Sequence, residues 1–334
     1  MSNLLKVTID GISAEVAPGT TILNAARQIG GHVTPPAMCY YSKLKGTGGK
    51  CRVCLVRVAA GSTKDPRPMP KLVASCCTTV MDGMIVENTT SQQVLEARRG
   101  VVEFLLLNHP LDCPICDQAG ECHLQDLGYE HGKVATRYEE GRRVFNPIDI
   151  GPYIKLHMTR CILCYRCTYV GDQLTDERKH GIMWRGEAAE ISTYIQENVD
   201  NDFSGNMIDV CPVGALTDNT FRFKSRVWFL KPNDAHRECT KCCGKTSVWM
   251  HGEEIYRVTA RKDEWGEVEE FICNECRFEK HSVSDWTIEG PRMINRHSVV
   301  SQNLFEQPYL RMMKENNKQL AAGRVNLLNK ETQN

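Results

Sequence analysis

Residues 109–122 read His109-Pro110-Leu111-Asp112-Cys113-Pro114-Ile115-Cys116-Asp117-Gln118-Ala119-Gly120-Glu121-Cys122. Residues 113–128 are too rich in Cys, Gly and Asp to build a core by burial alone, so metal must take the place of buried hydrocarbon. A lone histidine is usually an ordinary surface or core residue. Here it ends a helical run in which Val94, Ala97, Val101, Phe104 and Leu105 keep a helical period from Thr90 to Asn108, and it stands four positions before a Cys-x2-Cys pair. His109, Cys113, Cys116 and Cys122 therefore read as one ligand set for a 4Fe-4S cluster, with a neutral imidazole in place of one anionic thiolate. His123 competes for the histidine position, but its place next to Cys122 makes convergence on the same centre harder.

Toward the C-terminus, Cys161, Cys164 and Cys167 repeat the two-residue gap, and Cys211 stands beside Pro212. In bacterial ferredoxins a fourth cysteine, after three intervening residues, ligates a second cluster. Gly171 occupies that place, so the distant Cys211 most simply closes one 4Fe-4S cluster. A zinc site is the weaker reading because consecutive two-residue gaps are typical of cubane clusters. Beyond them, Cys239, Cys242, Cys273 and Cys276 form two Cys-x2-Cys pairs separated by thirty residues. That spacing approaches a zinc ribbon, and the spare thiol of Cys243 keeps a further 4Fe-4S cluster open as the alternative.

Toward the N-terminus, Leu5 to Ile9 and Ile12 to Val16 alternate across Asp10-Gly11, which reads as a hairpin. A helix opened by Thr20 or Thr21 follows, with Ile22, Ala25, Ala26 and Ile29 on its buried face and Gly30-Gly31 ending it. Leu55 to Val58 and Met84 to Glu87 read as strands, so residues 1 to about 88 make a small α+β unit. Its cysteines are Cys39, Cys51, Cys54 and Cys76, with Gly46, Gly48 and Gly49 in the loop. Two residues between Cys51 and Cys54 let both sulfurs meet one centre, and glycines let backbone amides approach it. A 2Fe-2S cluster fits this set. A Walker phosphate loop would need Gly at Leu44 and Ser or Thr at Cys51. Cys77 competes with Cys76, although consecutive side chains on extended chain face opposite ways.

The 334 residues are 41% hydrophobic, enough to bury real cores, and Lys plus Arg equals Asp plus Glu at 41 each. No basic excess draws in nucleic acid or anionic lipid. Seventeen cysteines with no leader pattern at the N-terminus read as metal ligands of a cytoplasmic protein. No uninterrupted apolar run is long enough to span a bilayer, so any membrane link is expected through partner subunits. The expected organisation is a 2Fe-2S unit at 1–88, a histidine-ligated 4Fe-4S unit at 89–130, a 4Fe-4S unit at 131–235, a four-cysteine metal unit at 236–300 and a polar arm at 301–334. In the fourth unit, Glu254 to Val258 and Glu267 to Ile272 are expected to pair as strands.

The order of these sites closely resembles the large, 75-kDa-type iron-sulfur subunit of bacterial NADH:quinone oxidoreductase, respiratory complex I. The resemblance covers residues 1 to about 295. It rests on the plant-type ferredoxin loop, the 109–122 segment, the run Arg160-Cys161-Ile162-Leu163-Cys164-Tyr165-Arg166-Cys167, and Cys211-Pro212-Val213-Gly214-Ala215. It implies an α+β multidomain iron-sulfur protein: a β-grasp 2Fe-2S ferredoxin domain, a domain whose cluster is held by one histidine and three cysteines, a ferredoxin-like 4Fe-4S domain, and the start of a molybdopterin-oxidoreductase-like fold. It further implies single-electron relay from an FMN- and NADH-binding flavoprotein toward quinone-side iron-sulfur and 49-kDa-type subunits, in the peripheral arm on the cytoplasmic side of the inner membrane. Electrons would enter at the Cys39 set, pass to the Cys161 set and leave from the His109 set. The input subunit of a soluble NAD-linked hydrogenase or formate dehydrogenase is the alternative. Two departures stand out. Relatives with a further cluster carry Cys-x2-Cys-x3-Cys where Thr246 stands here, and the chain stops where relatives continue into a large domain.

Overall fold

The computed structural model describes residues 4–132, 137–194, 197–279 and 282–292. Strands β1 (Leu5–Ile9) and β2 (Ile12–Val16) pair antiparallel with Ile9 opposite Ile12. The turn residues Asp10 and Gly11 both have positive φ, which matches the right-handed twist of the strands. Helix α1 (Ile22–Ile29) is capped by Thr21, whose hydroxyl accepts the Asn24 amide at 3.3 Å, and it stops at Gly30 with φ +79°. Strands β3 (Leu55–Ala60), β4 (Val73–Ala74) and β5 (Met84–Glu87) complete a mixed sheet of order β2-β1-β5-β3-β4, with β1 and β5 parallel. Ile22, Ala25 and Ala26 pack with Val7, Ile9, Val56, Val58 and Met84. Leu23 packs elsewhere, with Cys54, Ala74 and Cys76. The helix thus seals the sheet with one face and a cysteine group with another.

Helix α2 (Gln92–Leu106) forms where the apolar period places it, but its buried line is Val94, Arg98 and Val102, and Phe104 is exposed. The reason is polar. Arg98 donates to the Val53 and Leu55 carbonyls at 3.0 and 3.3 Å and to Asn88 Oδ1 at 2.6 Å, so a guanidinium with three acceptors takes the core position. Helix α3 (His123–His131) starts immediately after Cys122.

Strands β6 (Ile148–Asp149), β7 (Ile154–Leu156) and, later, β10 (Leu216–Asp218) make a three-stranded antiparallel sheet. Between them lie α4 (Arg166–Gln173), the hairpin of β8 (His180–Met183) with β9 (Glu190–Thr193), and the short α5 (Asn206–Val210). The last sheet has the order β13-β12-β11-β14 and consists of β11 (Lys231–His236), β12 (Lys245–His251), β13 (Glu254–Ala260) and β14 (Thr287–Pro291), with α6 (Asn274–Phe278) before its edge strand. The expected pairing of Glu254–Val258 with Glu267–Ile272 does not form. Strand β13 pairs with β12, and the later segment contributes only a bridge between Lys262 and Val268. Thr246 and Ser247, on opposite faces of β12, are both buried, so the polar letters that hid this strand are covered on either side of the sheet.

The described residues up to 263 and from 267 to 292 form one compact unit. The described part of the second unit is the turn Glu264–Gly266. The expected C-terminal arm at 301–334 lies outside the described residues. Among the described residues, no helix is long and apolar enough to cross a membrane.

Candidate cluster-binding sites

The first set converges in the loop between α1 and β3. Cys39, Cys51, Cys54 and Cys76 are all buried, whereas Cys77 is exposed. The Cys54 and Cys76 sulfurs lie 3.4 Å apart, and Cys76 and Cys77 lie 3.5 Å apart. Backbone amides point at the sulfurs: Gly49 donates to Cys76 at 3.2 Å, and Lys50 and Cys51 each donate to Cys39 at 3.3 Å. Hydrogen bonds from the Cys51 and Cys76 thiols hold the Cys39 thiol down to about 2, and one from Cys76 holds Cys54 to about 7. Gly48 has φ +106°, and a Cβ there would press on the Cys76 and Cys77 sulfurs at 3.3 Å each. This glycine-lined cradle fits a cluster whose thiolates accept amide protons.

In the second set, Cys113 opens a 3-10 turn, Cys116 follows it and Cys122 caps α3. Cys116 and Cys122 are buried and Cys113 is exposed. Burial, reinforced by the Arg160 charge, lowers the His109 imidazole to about 4, and burial pushes the Cys122 thiol up to about 12. His109 Nδ1 is buried and has no hydrogen-bond partner. A neutral ring with an orphaned nitrogen in a dry place is what a metal-bound imidazole requires. His123 stands at the first position of α3. Arg160 pairs with Asp112 at 2.9 Å and bonds the Gly214 carbonyl at 3.5 Å, fixing the loop on the segment that carries Cys211.

The third set closes around one cavity lined by Cys161, Cys164, Cys167 and Cys211 with Leu156, Ile191 and Val213 among its walls. Sequence positions 161 and 211 thus meet at one cavity, which all four cysteines line. The loop reaches this shape through left-handed residues at Leu163 (φ +52°) and Tyr165 (φ +64°), and the Leu163 amide donates to the Cys161 sulfur at 3.3 Å. Burial raises all four thiols, Cys164 to about 11. Gly171 is explained by packing. A Cβ there would lie 2.7 Å from the ring of His180, which is held at 3.0 Å from the Cys167 carbonyl.

The fourth set also converges: the sulfurs of Cys239, Cys242, Cys273 and Cys276 all lie within 4.8 Å of one another. Cys243 is exposed, and the Thr246 hydroxyl faces the Ala235 carbonyl at 3.5 Å within the sheet.

The structure also brings the first three sets to one place. Met38, Cys39, Cys51, Val53, Val102, Cys122, Leu124, Cys164, Val213 and Ala215 form a single apolar cluster, with Cys161 and Cys211 packed against it. The segment 211–215 serves two sets at once. The Cys122 sulfur lies 3.9 Å from the Pro212 carbonyl, and a Cβ on Gly214 would lie 2.1 Å from the Cys116 sulfur. Between the first and third sets, Arg166 donates to the Tyr40 carbonyl at 2.5 Å, and Lys50 reaches the Tyr169 hydroxyl at 3.2 Å. Reading ligands by spacing passes over these basic residues. Their one sequence signal is position, since Lys50 precedes Cys51, Arg160 precedes Cys161 and Arg166 precedes Cys167.

Residues 2–91 match the family described as "2Fe-2S iron-sulfur cluster binding domain", residues 98–137 the "NADH-ubiquinone oxidoreductase-G iron-sulfur binding region", and residues 151–217 the "NADH-quinone oxidoreductase subunit 3, ferredoxin-like domain". The NADH-ubiquinone oxidoreductase 75 kDa subunit of Reclinomonas americana is 42% identical over 275 residues, which is 82% of this chain and 38% of the relative. The chain belongs to the family of this 75 kDa iron-sulfur subunit. Another relative in the family, an NADH-quinone oxidoreductase subunit from Rickettsia bellii, is 38% identical over 299 residues, 89% of this chain and 42% of the relative. The chain therefore spans about two fifths of the length of the curated relatives it matches. Among solved structures, a crystal structure of NAD+-reducing [NiFe]-hydrogenase in the H2-reduced state is similar with TM-score 0.57 and 27% identity, covering 67% of this chain and 91% of that one. As a member of the 75 kDa subunit family, the chain is a mixed α/β protein with 2Fe-2S and 4Fe-4S iron-sulfur regions and a separate four-cysteine group.

Proposed function

We propose that this chain is an electron-relay subunit of an NADH:quinone oxidoreductase, holding one 2Fe-2S cluster on Cys39, Cys51, Cys54 and Cys76 and two 4Fe-4S clusters. One of these is on His109, Cys113, Cys116 and Cys122, the other on Cys161, Cys164, Cys167 and Cys211. The observation that carries the reading is the shared apolar cluster, in which cysteines of all three sets pack against common residues. Such clusters, when bound, supply one-electron carriage, which suits a chain lacking a Gly-x-Gly-x2-Gly dinucleotide fingerprint. The chain's own residues do the rest. Amides of Gly49, Lys50, Cys51 and Leu163 stabilise thiolate charge, burial removes water, and the 211–215 segment fixes the second and third sets against each other.

The domains proposed are those at 1–88, 89–130, 131–235 and 236–300, with an arm at 301–334. The partners proposed are an NADH-oxidising flavoprotein that splits the hydride's electron pair and quinone-side iron-sulfur and 49-kDa-type subunits, with the membrane reached through them on the cytoplasmic face. A second reading, the electron-input subunit of a soluble hydrogenase, draws on the similarity to the NAD+-reducing [NiFe]-hydrogenase structure. The test is a stepwise redox titration of the anaerobically purified full chain followed by EPR. Three distinct centres, with about ten irons in total, are expected. Fewer than three distinct centres defeats the assignment.

A further inference from the structure

We propose that Cys239, Cys242, Cys273 and Cys276 hold a single tetrahedral Zn²⁺ that fastens the four-stranded sheet, and that this group is neither a fourth cluster nor an electron station. The inference stands independently of the relay reading. It rests first on size. The Cys239 and Cys273 sulfurs are 3.7 Å apart, those of Cys242 and Cys276 are 3.6 Å apart, and all four lie within 4.8 Å. Four thiolates about 2.3 Å from one tetrahedral ion stand about 3.8 Å from each other. A cubane instead spreads four thiolates over four irons, and the spacing between irons adds to each sulfur–sulfur distance. Among the described residues, no other group of three or more His, Cys, Asp or Glu ligands draws together this closely, the four cysteines that line the third set's cavity included.

The backbone around the group is that of two metal-binding turns. In the first, the Lys241 amide donates to the Cys239 sulfur at 3.4 Å and the Gly244 amide to the Cys242 sulfur at 3.3 Å. In the second, the Cys276 amide donates to the Cys273 sulfur at 3.5 Å, with Cys273 as the N-cap of α6. Gly244 is required by the first turn. Its φ is +66°, and a Cβ there would lie 2.0 Å from the Arg237 carbonyl oxygen. The first turn joins β11 to β12 and the second follows β13, so one ion ties a hairpin to a helix distant in sequence. The apolar residues packed with the thiols are few, chiefly Ala235, Val248, Val258 and Trp286. A small core of this kind gains most from a metal that closes a long loop. Zinc is favoured over a lone ferrous ion because soft thiolates bind it more strongly at the same geometry.

The test is zinc, iron and acid-labile sulfide per chain in the anaerobically purified full-length protein, with zinc-edge X-ray absorption. About one zinc surrounded by four sulfurs at about 2.3 Å is expected. Cys276→Ser should release that zinc while iron, sulfide and the EPR of the reduced clusters persist, and Cys243→Ser should retain it. Zinc absent in favour of additional iron, with or without sulfide, overturns the proposal, as does zinc that survives Cys276→Ser. Should Cys276→Ser not fold, the absorption spectrum of the unaltered protein decides by itself. Failure of the relay reading would show in the iron EPR and leave the zinc result intact.

Discussion

Adding one methyl group at Gly214 is expected to empty the His109 set. A Cβ at this position would lie 2.1 Å from the Cys116 sulfur and 3.2 Å from Gln118 Cβ, where ordinary contact begins at 3.4 Å. The sulfur must therefore retreat by more than 1 Å. A free thiol achieves that by rotating, but a thiolate bonded to iron cannot move so far and keep the bond. Gly214→Ala should accordingly lose about four of about ten irons per chain with the matching sulfide, and one EPR centre. The Cys161 set should survive, because its Cys211 is three residues away and bonds the Val213 carbonyl at 3.0 Å. The assay is iron and sulfide content with EPR after anaerobic purification, and circular dichroism to establish that the chain is folded. A variant with full iron and unchanged EPR refutes the reasoning, as does one that loses the Cys161 centre and keeps the other.

Arg98→Met should destabilise the chain by about 3 kcal/mol or more, because it strands the Val53 and Leu55 carbonyls and Asn88 Oδ1 in a dry site. A lower urea midpoint and faster bleaching of the 2Fe-2S absorbance are the readouts, since both carbonyls flank Cys54. Gly100→Ala, in the interior of α2 with nothing within 4 Å of the added methyl, should raise stability by about 0.5–1 kcal/mol, read as a higher Tm. His131 is held neutral to about 3 by burial and by the charges of Arg98 and Arg99. Below 6.5 the unfolded chain takes up a proton at this residue that the folded chain refuses, so the protein loses stability as pH falls from 6.5 toward 3. His131→Gln should remove that slope. Relative to the variant, the unaltered protein should lose about 2 kcal/mol between pH 7 and pH 5, measured as the difference in urea unfolding at the two pH values.

Much of the N-terminal unit was legible before any coordinates. The Asp10-Gly11 turn, the alternation on either side of it and the Gly30 stop are local stereochemistry, and each lies where the residues place it, while of Thr20 and Thr21 the structure takes Thr21 as the cap. The buried line of α2 was not legible, because a helical period weights Phe104 as core and Arg98 as surface. Only the carbonyls of Val53 and Leu55, some forty residues away where the chain enters β3, make the arginine the better core residue. Strands β11 and β12 were missed for a related reason. Lys231–His236 carries Pro232, Asn233 and Asp234, and β12 buries Thr246 and Ser247, so neither shows clean alternation.

Cysteine spacing by itself determined which sulfurs can share a centre, because two intervening residues limit how far apart two side chains can point. It left open how the sets lie relative to one another and how closely distant cysteines approach. Tertiary structure decided both. It returned Cys211 to the Cys161 loop, set Gly214 against Cys116, gathered three sets around one apolar cluster and drew the fourth tight. The physical division is one of range. Ligand spacing is governed by bond geometry over a few residues, whereas the meeting of distant loops depends on which apolar surfaces bury each other across the whole chain.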